Sequence, residues 1–344
     1  MDINDFDYHL NEELIAFFPA EPRDSSRLMV LSRSTGELEH KKFVDIKELL
    51  CESDVLVLND TKVIPARLFG KKKETGGKIE VLLLKETQNG LWEALIRPSK
   101  RLREGAEILF GDGKLNGKAS GYSADGKILI RFDCDGKFHD VLFEIGHTPL
   151  PPYIKRQDKE EDKDWYQTVY AERDGAVASP TAGLHFTKEL LEGIKQKGVE
   201  IIYVTLHTGW GTFRPVREND VREHRMDEEY FELTEKAAET INRAKKEKRR
   251  IIAVGTTTVR VLETVAFPDG TVKPSSGCTG LFIYPGHEFK VIDALITNFH
   301  LPKSTLLLLV SAFAGRERIL SAYGEAIRKK YRFYSYGDAM FIKK

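Results

Sequence analysis

Apolar and polar positions make two different textures along the chain. From residue 67 to residue 145 the apolar runs are short. They are separated by Asn89-Gly90, Asp112-Gly113, Asn116-Gly117, Asp125-Gly126 and Asp135-Gly136. Such dipeptides reach the positive φ angles that tight hairpins need. Ile128, Ile130 and Phe132 alternate with neighbours on the opposite face, and no convincing helix is visible in this stretch. Several short strands at this spacing predict a small barrel or sandwich. The stiff segment Pro149-Leu150-Pro151-Pro152 closes the region as a boundary.

Beyond that boundary helix and strand alternate. Thr187 caps a predicted helix with Leu190, Leu191 and Ile194 on one face and Gly198 at its end. A strand follows over 199–206. Thr234 caps a second helix carrying Ala237, Ala238, Ile241 and Ala244. Residues 251–254 read as a strand, and Gly255-Thr256-Thr257-Thr258 opens a helix with Val259, Leu262 and Val265. Pro302 precedes another apolar helix over 304–313 that stops at Gly315. The alternation predicts an α/β fold with a largely parallel sheet. Residues 55–58, before the first texture, have the look of a buried strand of the same sheet. The all-β stretch is then an inserted small antiparallel β-barrel. The expected division is 1–66 with 151–344 as a discontinuous α/β domain and 67–150 as the insertion.

Composition narrows the function. The chain has 344 residues, 53 basic and 53 acidic, so bulk charge gives no argument for nucleic acid. Any such partner must meet a local basic face. Three cysteines, Cys51, Cys134 and Cys278, lack metal or redox spacing and suggest reduced thiols in a cytoplasm. The start, MDINDFDYHL, lacks the order of a signal peptide, and no apolar run is long enough to span a bilayer. A cytoplasmic protein is expected.

Two loops carry the densest chemistry: SPTAGLHFT at 179–187 and TLHTGWGTFRPV at 205–216. Each crowds Gly, His, Thr, Pro and an aromatic together without helical or strand period, as loops that bear function often do. A helix and a strand lie between them, so both can reach one edge of a sheet. The stretch 255–258 follows a strand and opens a helix, which suits an anion and equally suits a plain cap. His185, His207, His224 and His300 have no metal-ligand spacing, so no metal is expected. Basic runs occur at 71–73, 97–103 (RPSKRLR) and 245–250 (KKEKRR). Each reads as a solvated face. The second is the best candidate for phosphate contacts, and the third favourably ends its helix. YRFYSYGDAMFI at 331–342 is either a base-binding aromatic surface or a final core strand.

Taken in order, these segments resemble the S-adenosylmethionine:tRNA ribosyltransferase-isomerase family of queuosine biosynthesis. The matching stretches include DFDYHLNEELIAFFPAEPRDSSRLMVL (5–31), VLVLNDTKVIPARLFG (55–70), PLPPYIKR (149–156), YQTVYAERDGAVASPTAGLHFT (166–187), VTLHTGWGTFRPV (204–216), IAVGTTTVRVLE (252–263), FIYPG (282–286), LITNFHLPKSTLLLLVSAFAG (295–315) and YRFYSYGDAM (331–340). Ser179, Tyr334 and Asp227 depart from the pattern, Asp227 standing where many relatives carry His.

The resemblance implies an α/β domain interrupted by a β-barrel. It implies that S-adenosylmethionine serves as ribosyl donor to 7-aminomethyl-7-deazaguanine at the wobble position of tRNA, giving epoxyqueuosine, adenine and methionine. S-adenosylmethionine is then a co-substrate, with no tightly bound cofactor. His185, His207, His300, Asp60 and Asp338 are the expected acid–base groups. Thr181, Gly183, Gly209, Trp210, Gly211, Thr212, Phe213, Arg214, Gly255, Thr256, Thr257, Asn298, Phe299 and Tyr336 are the expected substrate-binding residues. Arg97, Lys100, Arg101 and Arg103 are the expected tRNA contacts, and a monomer without a membrane partner is expected. An S-adenosylmethionine-dependent RNA methyltransferase and a non-catalytic RNA-binding protein are the competing readings.

Overall fold

Val55–Asn59 is buried on both faces, as a strand inside a parallel sheet must be. A computed structural model describes residues 1–344 except Asn89, Ser99, Lys100, Arg101, Asp125 and Arg214, and only the backbone of Phe213. In it Val55–Asn59 is fourth in a nine-stranded sheet. The order is Ser275–Thr279, Glu229–Leu233, Glu200–Leu206, Val55–Asn59, Ile251–Val254, Ala294–Asn298, Ala339–Lys343, Arg27–Ser32 and Leu38–Lys42. The run from Glu200–Leu206 to Ala294–Asn298 is parallel. Ala339–Lys343 is antiparallel to Ala294–Asn298 and parallel to Arg27–Ser32. The sheet is therefore mixed, with its parallel part central.

The two-residue period of a strand sends neighbours to opposite faces. Val55 and Val57 join Ala253 and Leu295 in one core, while Leu56 and Leu58 join Ile252 and Ile296 in the other. The first core is covered by Glu235–Lys246, Thr256–Thr264, Thr305–Ala314 and Arg316–Arg328, the second by Lys188–Gln196. Thr187, Thr234 and Ser304 accept from the N–H groups of Leu190, Ala237 and Leu307 at 3.1, 3.3 and 3.2 Å. Each such cap contributes about 1 kcal/mol.

Six strands close into a barrel in the order Ile128–Asp133, Leu91–Arg97, Lys78–Gln88, Arg67–Lys72, Glu107–Phe110 and Leu115–Tyr122. Leu68, Val81, Ala94, Ile108, Leu115 and Ile130 fill its interior. Closure leaves no unpaired edge to aggregate. Two expectations need correction here. Phe138–Ile145 is a helix, with Leu142 buried against the barrel core. Phe138, Val141, Leu142 and Ile145 have helical spacing, which the adjoining turn dipeptide obscured. Asn116-Gly117 lies inside a strand rather than at a turn, because a glycine there lets the rings of Phe110 and Phe132 close in. Two of the expected turn dipeptides include Asn89 and Asp125, which lie outside the described residues, although the strands flanking each do pair antiparallel.

Arg67 bridges His147 where the chain enters and leaves the barrel. Val177 and Trp210 of the α/β part pack into the barrel's cluster. Lys127 of the barrel lies 3.7 Å from Asp227. Among the described residues no helix is long and apolar enough to cross a membrane.

Candidate active site

The central parallel strands end at one edge, where open α/β sheets bind ligands. There the two loops meet. Thr208 O accepts from the N–H groups of Val177 and Ala178 at 3.0 and 3.2 Å. Ser179, Thr181, Thr208, Thr212, Gly255 and Thr257 line a cavity closed by Thr297, Asn298 and His300. Gly255 has φ +89°, a conformation that glycine reaches at no steric cost and that turns strand into helix. Thr256 and Thr257 therefore present the first turn of Thr256–Thr264 to the cavity, with the partial positive charge of a helix start. The enclosed volume is about 40 Å3, against roughly 300–1,000 Å3 for small-molecule sites. A nucleoside-sized ligand requires the loop walls to part.

Buried polar side chains hold those walls. Asn59 donates to Leu206 O and to Thr257 Oγ1, both at 3.1 Å, and accepts from Leu206 N at 3.0 Å. Glu229 accepts from Gly209 N at 2.6 Å and from Thr212 Oγ1 at 3.4 Å. Its other oxygen pairs with Arg260, which also donates to Leu281 O and Thr279 O.

Two hydroxyls on the cavity wall, those of Ser179 and Thr208, are buried and make no hydrogen bond among the described residues. An unmade buried hydrogen bond costs about 1–3 kcal/mol, so both are suited to a ligand. His300 Nε2 lies 2.8 Å from Thr297 Oγ1. Burial pushes its pKa down to about 3, so it is neutral at neutral pH. His185 is likewise pushed down to about 3 by burial and then by Arg332 and Arg23. Asn298 Nδ2 donates to Tyr334 O at 3.1 Å, which fixes its amide, and lies 3.2 Å from His185 Nε2. His185 Nε2 must then accept, and its Nδ1 carries the proton toward Ser26 Oγ at 2.8 Å. Phe43 stacks on its ring, and His185 lies behind Asn298 rather than on the cavity wall.

His207 and Asp60 form a neighbouring cluster. His207 Nδ1 is 2.8 Å from Thr61 Oγ1, and its ring stacks on Tyr230. Burial, then Arg173, lowers its pKa. Thr205 donates to Asp60 at 2.6 Å, but burial dominates and raises the Asp60 pKa. His207 does not line the cavity; the adjacent Thr208 does.

The remaining expected residues scatter. Asp338 accepts from Arg27 N and Arg332 N at 2.9 and 2.8 Å, so it ties a strand to a turn. Phe299 packs among Tyr323, Tyr331 and Phe333 in the core. Tyr336 donates to Asp162 at 3.0 Å. Gly183 packs under Tyr170, and Gly211 faces Asp227. Gly209 is bound to Glu229, and Trp210 faces the barrel. Arg97 and Arg103 are exposed on the barrel. Lys100, Arg101 and Arg214, with the Phe213 side chain, lie outside the described residues. Among the described residues no group of three His, Cys, Asp or Glu could hold a metal ion.

The sequence reading passed over Asn59, Thr208, Glu229, Arg260 and Thr297. Asn59 ending a buried strand just before Asp60-Thr61 was a usable signal; the meeting of Glu229 with Arg260 had none. The fold and the edge-of-sheet cavity define an α/β enzyme with an inserted barrel. A sequence profile described as queuosine biosynthesis protein matches residues 3–342, and the chain belongs to that family. It is similar to the S-adenosylmethionine tRNA ribosyltransferase of Thermotoga maritima, with 40% identity over 98% of this chain and 99% of that one and a TM-score of 0.56.

Proposed function

We propose that the chain transfers and isomerises the ribosyl moiety of S-adenosylmethionine onto 7-aminomethyl-7-deazaguanine at the wobble position of tRNA. The products are epoxyqueuosine-tRNA, adenine and methionine. The observation that carries the reading is the meeting of loops 179–187 and 205–216 around two unpartnered hydroxyls, in a chain of the queuosine biosynthesis family.

The chemistry sets three demands. The sulfonium acidifies the ribose 5′ carbon, so a base must approach it. Adenine must take up a proton as it leaves. The attacking amine must be neutral, which a desolvated site favours. His300, a neutral imidazole on the cavity wall, is assigned to proton transfer. His185 fixes Asn298, and Ser179 and Thr208 supply hydroxyls for the polar edges of the nucleoside. The first turn of Thr256–Thr264 suits the methionine carboxylate. Arg97 and Arg103, with Lys100 and Arg101 in the same run, are assigned to tRNA phosphates.

The same proposal treats 1–66 with 151–344 as the catalytic domain and 67–150 as the RNA-facing insertion, in a cytoplasmic monomer that needs no metal. Incubation with S-adenosylmethionine and tRNA bearing 7-aminomethyl-7-deazaguanine should release adenine and methionine. Formation of S-adenosylhomocysteine instead would favour a methyltransferase.

A further inference from the structure

Lys71 and Lys78 stand directly opposite each other on paired barrel strands. Like charges in that position destabilise a sheet, and among the described residues neither has an ion-pair partner. Phe69 lies two residues from Lys71 on the same outer face and is 50% exposed. The His147 ring meets Phe69 edge-on at 4.8 Å and 75°, and Asp158 holds His147 at 3.0 Å. A large aromatic is thus fixed in orientation and left half in water.

Two hollows of about 800 and 660 Å3 adjoin on this face and share Phe69, Glu80 and Arg97. Glu80 is engaged by Arg67 at 3.4 Å, and with Asp112 and Asp158 it is outnumbered by the Lys and Arg side chains that line the two hollows, so the face is net cationic. The second hollow is walled by the chain after Leu150. Leu150 and Ile154 there pack with Leu184 and Tyr336, so this wall is continuous with the loop that carries Thr181 and His185.

We propose that this barrel face holds an unpaired nucleotide of the RNA substrate, its base stacked on Phe69 and its flanking phosphates on Lys71 and Lys78. The proposal rests on the reading that the substrate is tRNA. A fixed exposed ring beside free cations is the combination that single strands use, because every base has a face to stack and every link a phosphate. A duplex offers its phosphates without a free base face. A protein partner would call for a broader apolar patch than one ring.

The test uses the full chain and an anticodon stem-loop RNA with 2-aminopurine in its loop. Phe69→Leu should weaken binding about tenfold and remove the fluorescence quench of stacking, with the salt dependence unchanged. Phe69→Trp should keep both. Lys71→Gln with Lys78→Gln should lower the slope of log affinity against log salt by roughly 1.4, about 0.7 per single-strand phosphate contact. All three residues are exposed, so melting temperature and S-adenosylmethionine binding should not move. Failure of the unmodified protein to bind the stem-loop would overturn the tRNA reading itself. Wild-type binding that these variants leave intact would overturn the platform alone. Equal losses on fully paired RNA would also overturn it, by reducing the face to a general phosphate contact.

Discussion

Glu229 and Arg260 form a buried ion pair whose carboxylate also ties down the backbone of Gly209. Both side chains are at most 5% exposed. The pair therefore couples the core to the loop that supplies Thr208 and Thr212 to the cavity. Removing one partner of such a pair costs about 3–5 kcal/mol, whereas replacing both by apolar residues of similar size can be neutral. Glu229→Gln should lower the melting temperature markedly. Glu229→Met with Arg260→Met should restore much of it, yet leave Gly209 and Thr212 unanchored and adenine release at least about tenfold down. Recovery of both stability and turnover in the double variant would reduce the pair to a packing element.

The unpartnered hydroxyls make a prediction of opposite sign for stability and binding. Thr208→Val keeps the shape and removes a buried hydroxyl that bonds no partner among the described residues. Such a group costs about 1–3 kcal/mol when left unmade. Thr208→Val should hold or raise the melting temperature of the free protein. It should weaken S-adenosylmethionine binding about tenfold, as measured by calorimetry. Unchanged affinity would remove Thr208 from the site.

What the sequence disclosed was local. Thr187 and Thr234 announce their helices because a cap acts over three residues. Gly255 and the two His-bearing loops were legible because turns demand particular residues. Contacts made by long-range register were not. Nothing near residue 339 says that the last strand inserts between Ala294–Asn298 and Arg27–Ser32 and makes the sheet mixed. The opposition of Lys71 and Lys78 is invisible until the hairpin register is known. The aromatic tail left two readings open, and Tyr331 and Phe333 take the core one, around Phe299.

Acid should act through His185 and His300. Their ordinary pKa is 6.5 and burial holds both at about 3 in the folded chain. Above about pH 6.5 both states are neutral there. Below it the unfolded chain binds protons that the folded chain refuses, so stability falls with acid, by about 1.4 kcal/mol per pH unit for each histidine. The loss runs from about pH 6.5 down to about 3. Urea midpoints between about pH 6.5 and 5, before most carboxylates titrate, carry it together with the contributions of His207 and His40, whose pKa values are also lowered. His300→Asn and His185→Gln should each flatten that slope by about 1.4 kcal/mol per unit. His300→Asn should also cut turnover about 10²-fold if it moves a proton. Slopes equal to wild type would mean that neither ring is held neutral.

His207 can be tested without deleting it. A Cβ on Gly175 would come 2.8 Å from its ring, and Gly175 has φ +148°, which disfavours a side chain. Gly175→Ala should therefore push the imidazole off Thr61, its partner at 2.8 Å. Thr61→Val removes the same hydrogen bond and leaves the ring in place. If His207 orients substrate or moves a proton, both variants and His207→Ala should lower turnover, His207→Ala by about 10²-fold. Gly175→Ala with His207→Ala should then be no worse than His207→Ala alone, because the clash has lost its target. Burial holds the His207 pKa below its usual value, so the base limb of its contribution is neutral. Its loss should lower the plateau of the pH–rate profile above about pH 6.5. A well-folded His207→Ala protein with wild-type adenine release would remove His207 from the chemistry and leave Thr208 and Thr212 as that loop's contribution.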